Sequence, residues 1–287
     1  MNYLRHVLGL CVVVLMGSGC GPTESAGAFS VVVSGEGAAQ AGYPYPPQDD
    51  GPSFSDGWQL TYTSVIVAID TVTIAENPDL NKGDQSQTGP VVAQLNGPWV
   101  VDLVKPGPVT AQEGNGTAWS LGTIANQNKK GNVPFDATQK YAFGYSMVKA
   151  SAGATNVNGV DATRLATMVS RGYSVLVSGT AEFKGQNCRS TDASYDFARL
   201  PKKVNFEFGY VAPTDFKNCV NPLLMPMESR GIQGKKGSDT TAQITLHLDH
   251  RLARPMVGMH GDPHAGRCIR LFQQPEQLFV LGRRLAR

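Results

Sequence analysis

The chain has 287 residues, of which 41% are hydrophobic and 17% charged, and its formal net charge is +2. So low a charge content, with 32 glycines and 18 prolines, suits an exported, Gly/Ser/Thr-rich β protein and speaks against a cytosolic enzyme. No basic stripe interleaved with aromatic residues runs through the body, which excludes a nucleic-acid footprint, and the length provides for one large domain or two small ones.

Residues 1–19 read as a cleavable export signal: Arg5 and His6 near the amine, an apolar run from Val7 to Met16, then Gly17, Ser18 and Gly19. The run is about half of what a membrane-spanning helix needs. Gly17-Ser18-Gly19-Cys20 resembles a lipobox, the site where signal peptidase II cuts before a cysteine carrying diacylglycerol, with Gly17 standing where leucine is usual. Cys20 is therefore the expected lipidation site, and several acyl chains, each methylene contributing about 0.8 kcal/mol, hold a protein stably on a bilayer. Gly21 after the cysteine, by resemblance to sorted lipoproteins, implies the outer membrane.

Residues 20–57 are expected to form a tether and an extended Gly/Pro-rich segment: GPTESAG first, then irregular chain from Ser34 to Gly57, with one short strand signal over Ser30–Val33. Tyr43-Pro44-Tyr45-Pro46-Pro47 is expected to lie along its own domain, the alternative being a polyproline ligand for a partner.

Residues 58–250 carry the strand signals. Trp58 to Ile74 and Trp99 to Val104 are rich in Val, Ile, Thr and aromatics, bounded by turn formers. Tyr141, Phe143, Tyr145 and Met147 alternate with smaller or more polar neighbours, as do Tyr173, Val175 and Val177, then Val204, Phe206, Phe208 and Tyr210, and finally Ile244, Leu246 and Leu248. One stretch, DATRLATMVSRG, predicts a helix capped by Asp161 and closed by Gly172, with Ala162, Leu165, Ala166 and Val169 on its inner face. Many strands with at most one or two short helices predict a mainly β fold, an antiparallel β-sandwich of Ig-like or jelly-roll-like kind. Trp58 and Trp99 are expected in its core, and Asp102 is expected to accept from backbone amides at a strand end.

Of five cysteines, Cys11 leaves with the signal and Cys20 takes lipid. In an oxidising compartment Cys188 and Cys219, each following an asparagine beside the Val204 to Tyr210 strand, form the expected disulfide, and Cys268 is left over. Spacing of this kind is unlike CxxC metal chelation.

Four of the five histidines lie between His247 and His264. His247, Asp249 and His250 are the candidate copper or zinc ligands, against the alternative of surface histidines without a cofactor. Continued alternation would place His247 and Asp249 on one face and His250 on the other. Ser146-Met147-Val148-Lys149 matches SxxK, but that nucleophile needs a helix start, and Ser146 falls in a strand pattern. Asp79 to Asp84 spaces its oxygens like a calcium loop, yet Gly83 is one place early and Pro90 replaces the glutamate, so a solvated turn is expected. Residues 251–287 hold seven arginines against Asp262 and Glu276 and contain no Lys or Tyr. This end reads as a disordered basic tail attracted to lipid headgroups or as a shifted reading frame.

Three segments, FSDGWQLTYTSVIVAIDTVTI, GPWVVDLVKPG and PFDATQKYAFGYSMVKA, together resemble uncharacterised Gram-negative lipoproteins with a β-sandwich domain of unknown function, similar in pattern to the DUF4382 group. The resemblance covers Phe54 to Ala150, about a third of the chain. It implies fold and location, and no catalytic residue transfers with it. The combined expectation is a non-enzymatic binding or structural lipoprotein of the cell envelope, membrane-bound through its lipid and contacting a protein or glycan partner. The alternative is a metal-binding lipoprotein using His247, Asp249 and His250.

Overall fold

The computed structural model of the protein describes residues 24–46, 57–81, 83–84, 86–112, 114–185, 201–221 and 230–248. Its elements in chain order are β1 (Phe29–Gly35), α1 (Gly37–Ala41), β2 (Trp58–Ala75), β3 (Val91–Leu95), β4 (Trp99–Asp102), β5 (Val109–Thr110), β6 (Thr117–Ile124), β7 (Lys140–Met147), β8 (Thr155–Asn156), α2 (Ala162–Arg171), β9 (Val175–Phe183), β10 (Lys203–Tyr210), β11 (Thr214–Phe216), β12 (Ile232–Gln233) and β13 (Thr240–Leu246). The mainly β, sandwich-like architecture is present, with every strand expected from alternation. Cys20, Cys188, Asp249, His250, Cys268 and the arginine-rich end lie outside the described residues.

A four-stranded sheet runs β13-β1-β6-β5, and a nine-stranded sheet follows the path β10-β9-β2-β4-β8. Pairing is antiparallel except for β1 with β13 and β4 with β8. The organising strand is β2. Its first half pairs with β9 and its second with β7, while β4 and then β3 line its other edge. The change from β9 to β7 falls at Ala68, and the change from β4 to β3 spans an irregularity between Asp70 and Thr73, where Thr71 has φ +40°, a strained value for a β-branched residue. Asp70 braces it, its Oδ1 accepting from the amides of Thr71 at 2.6 Å and Gly97 at 2.9 Å.

Residues 64–69 of β2 are buried without a break, because both faces are covered. Val65, Val67 and Ile69 point into the main core with Phe29, Val31 and Val33 of β1, Leu121 and Ile124 of β6, and Ala242 and Ile244 of β13. Ile66 and Ala68 point the other way, packing with Val100, Leu176 and Met168 under α2. Trp58 and Trp99 are both buried, as expected.

The ends of α2 form from local signals. Asp161 Oδ1 accepts from the Arg164 amide at 2.9 Å. At the other end Gly172, at φ +66°, lets the Tyr173 amide return to the Met168 carbonyl at 2.8 Å. The inner face is rotated from the expected one: Met168 is fully buried, Leu165 and Val169 pack partly, and Ala162 and Ala166 are exposed. Contact with β9 and β2 selects the largest side chain, which periodicity alone does not weigh.

The region before Trp58 also differs from expectation. The small sheet is built on β1, and the Ser34 to Gly57 stretch contains α1. Tyr43 is buried and exchanges two main-chain hydrogen bonds with Leu60, so this part of the Tyr/Pro segment does lie along its own domain. Residues 24–27, expected in the tether, are stitched into the fold. Glu24 accepts from the Ala137 amide at 2.7 Å, Ala26 donates to Phe135 at 2.8 Å, Gly27 donates to Lys235 at 3.1 Å and Ser25 accepts from Gly237 at 3.1 Å.

Two asparagine side chains extend the sheet edges. Asn158 receives the Asp102 amide at 2.9 Å and donates to its carbonyl at 2.8 Å. Asn128 does the same to Gln94 of β3, at 2.9 and 2.7 Å.

Candidate functional site

The parallel register of β1 with β13 pairs Gly35 with Leu246. The next residues, Glu36 and His247, therefore emerge side by side although 211 positions separate them. The strand ends at Leu246, so the alternation expected to carry through Leu248 stops before His247. Glu36, 9% exposed, is the hub. Its Oε2 lies 3.1 Å from His247 Nδ1, its Oε1 accepts from the Leu248 amide at 2.6 Å, and the Tyr43 hydroxyl is 3.5 Å away. A carboxylate at Nδ1 favours the tautomer that leaves Nε2 as the ligating or proton-accepting nitrogen.

Beneath this shelf lies a layer of rings. Tyr43 and Phe206 both meet Tyr62 edge-on at 6.2 Å, and Phe208 stacks on Phe206 at 5.5 Å. The Tyr62 hydroxyl is buried and has no hydrogen-bond partner among the described residues. Burial, then the nearby Tyr43, Tyr210 and Glu36, pushes its ionisation far above the ordinary phenol range.

Of the expected ligands, the structure thus places His247 beside a carboxylate that was not among them. No group of three or more His, Cys, Asp or Glu side chains gathers to hold a metal among the described residues. Glu36 stands in a stretch without strand periodicity, and only the long-range parallel pairing brings it to His247.

The other chemically interesting side chains serve the scaffold. Asp102 accepts from Ser64 Oγ and the Val65 amide, both at 2.9 Å, and from the Val104 amide at 3.2 Å, the strand-end role expected of it. Ser146 sits within β7 and donates to Asp215 Oδ1 at 2.7 Å across the pair with β11. In the Asn81–Gln87 turn, Asp84 accepts from Ser86 and Gln87, while Asn81 accepts from the amides of Gly83 and Asp84. These oxygens are spent on the turn itself, and Asp84 is held below the usual carboxylate range by those bonds.

Cys219 has no disulfide partner among the described residues. It borders an open cleft of about 450 Å³ shared with Phe216, Val220 and Arg230. Burial pushes its thiol up to about 11, Arg230 opposing.

Among the described residues no helix is long and apolar enough to cross a membrane. No family model, curated protein or solved structure matches the chain.

Proposed function

We propose that the protein is a lipid-anchored lipoprotein of the cell envelope, held in the outer membrane through Cys20, with a non-enzymatic binding or structural role. The observation that carries this reading is how the first described residues are held. Residues 24–27 are already fastened to the β6–β7 loop and to the turn before β13, so an export signal and acylated cysteine just upstream fit without disturbing any element. The engagement of Asp102 and Ser146 in scaffold hydrogen bonds also favours binding over catalysis, with a protein or glycan partner met through loops. Mass spectrometry of the N-terminal peptide tests the anchor. Diacylglyceryl-modified Cys20 at the mature terminus, and loss of membrane fractionation in Cys20→Ser, are expected; an unmodified Cys20 or an intact signal overturns it.

The second reading, a copper- or zinc-binding lipoprotein, is favoured by one observation: Glu36 sits on His247 Nδ1, the position of the carboxylate that orients a metal-bound imidazole. Asp249 and His250 would complete the set. Stoichiometric metal in the purified protein, lost in His247→Ala, supports it; a metal-free chain of unchanged stability removes it.

A further inference from the structure

We infer that the end of the sandwich from which the chain emerges, formed by the β6–β7 loop, the start of β7 and the Lys235–Ser238 turn, lies flat against the headgroups of the anchoring membrane. This rests on the proposed acylation of Cys20.

Only Gly21, Pro22 and Thr23 separate Cys20 from Glu24. Glu24 is fixed: its carbonyl receives the Ala137 amide, and its carboxylate holds Lys236 Nζ at 2.6 Å. Four Cα–Cα steps reach at most about 14 Å even when fully extended. The headgroup layer takes up roughly 6 Å of that in one leaflet. The exit point therefore stands at most about 8 Å clear of the headgroups, little more than the length of an extended lysine side chain.

The same end carries chemistry that suits such a surface. Ser25 bridges Asp136 and Ala26 bridges Lys236, so the two loops flank the exit like a collar. The three carboxylates of the collar are engaged: Glu24 with Lys236, Asp136 with the Thr138 amide and hydroxyl, and Asp239 with the Ala28 amide. Lys129, Lys140 and Lys235 are exposed and have no carboxylate partner among the described residues. Val133, in the same β6–β7 loop as Lys129, is 43% exposed. Exposed ammonium groups around a short lipid tether fit anionic phosphate headgroups. The binding loops of the opposite end, with Glu36 and His247, are thereby aimed away from the bilayer.

Lysine acetylation footprinting on the full acylated chain in phosphatidylglycerol/phosphatidylethanolamine vesicles tests this. The reference is the Cys20→Ser chain with the same vesicles. Lys129, Lys140 and Lys235 are expected to react at least fivefold more slowly in the anchored protein. Lys149, at the far end of β7, and Lys203, which pairs with Glu182 at the far end of β9, keep their rates. Twenty Gly/Ser residues inserted between Thr23 and Glu24 restore the collar to solution rates. Unchanged collar rates in a chain shown by mass to be acylated, or equal protection at Lys149 and Lys203, overturn the inference alone. An unmodified Cys20 overturns the anchor reading and the inference with it.

Discussion

Replacing Asp102 separates an acceptor role from a mere charge. Its carboxylate is 5% exposed and serves Ser64 and Val65, each fully buried, as well as the less enclosed Val104 amide. Asp102→Ala leaves two buried donors without an acceptor, at about 1–3 kcal/mol each, and loses a third bond at a site that water can reach. The expected destabilisation is about 3–5 kcal/mol, which for a domain of this size lowers Tm by roughly 10 °C. Asp102→Asn keeps Oδ1 for both amides and turns Nδ2 toward Ser64 Oγ, which can accept, so about 1 kcal/mol is lost. Urea unfolding followed by tryptophan fluorescence measures both. An alanine variant within 1 kcal/mol of the parent, or an asparagine variant as unstable as alanine, would refute the brace.

Tyr62→Phe removes a buried hydroxyl that has no partner among the described residues, so stability at neutral pH is expected to hold or rise by about 1 kcal/mol. Its folded ionisation lies above the ordinary value of 10.0, so the folded state keeps a proton that the unfolded chain gives up. That contribution is present below about pH 10 and is lost as pH rises further. The phenylalanine variant should therefore lose less stability between pH 10 and 11 in parallel urea titrations; equal losses would contradict the burial of the phenol. Met168→Ala empties the space between α2 and β2 and should cost about 3 kcal/mol in the same assay, whereas Leu165→Ala should cost less; a reversed order would place the inner face of α2 elsewhere. Peptide mapping without reductant is expected to recover Cys188 joined to Cys219. Cys219 that alkylates on unfolding without reductant would show a thiol instead.

Much of the fold is legible locally. Alternation marks β7, β10 and β13, and Asp161 and Gly172 mark the ends of α2, because each signal lies within a few residues of what it determines. Where two layers close on one strand, alternation vanishes: Val65 to Ile69 reads as a plain apolar run, and α2 packs behind it only in the folded chain. The strand β6 carries no period-two signal because Gly122, at φ +146°, and a register shift opposite Val31 and Val32 break its alternation. Glu36 was the hidden member of the candidate site. Its partner lies more than two hundred residues away, and nothing in the stretch around Glu36 announces a parallel pairing with the last strand. The proposed tether is half legible, since Cys20 is plain in the sequence while the docking of Glu24 is not.

The amide side chains of Asn128 and Asn158 have a consequence for how many copies of this domain can share a crowded surface. An unpaired strand edge offers its amides and carbonyls to any neighbouring edge, which is how sheets propagate from one molecule to the next. At Gln94 and Asp102 both groups are already occupied by an amide that imitates a strand residue and cannot itself be extended. Replacing either asparagine by alanine would expose a two-bond docking point on the outermost rung of β3 or β4. At the local concentrations that the proposed anchoring would impose, such a variant would be expected to self-associate before it lost its fold.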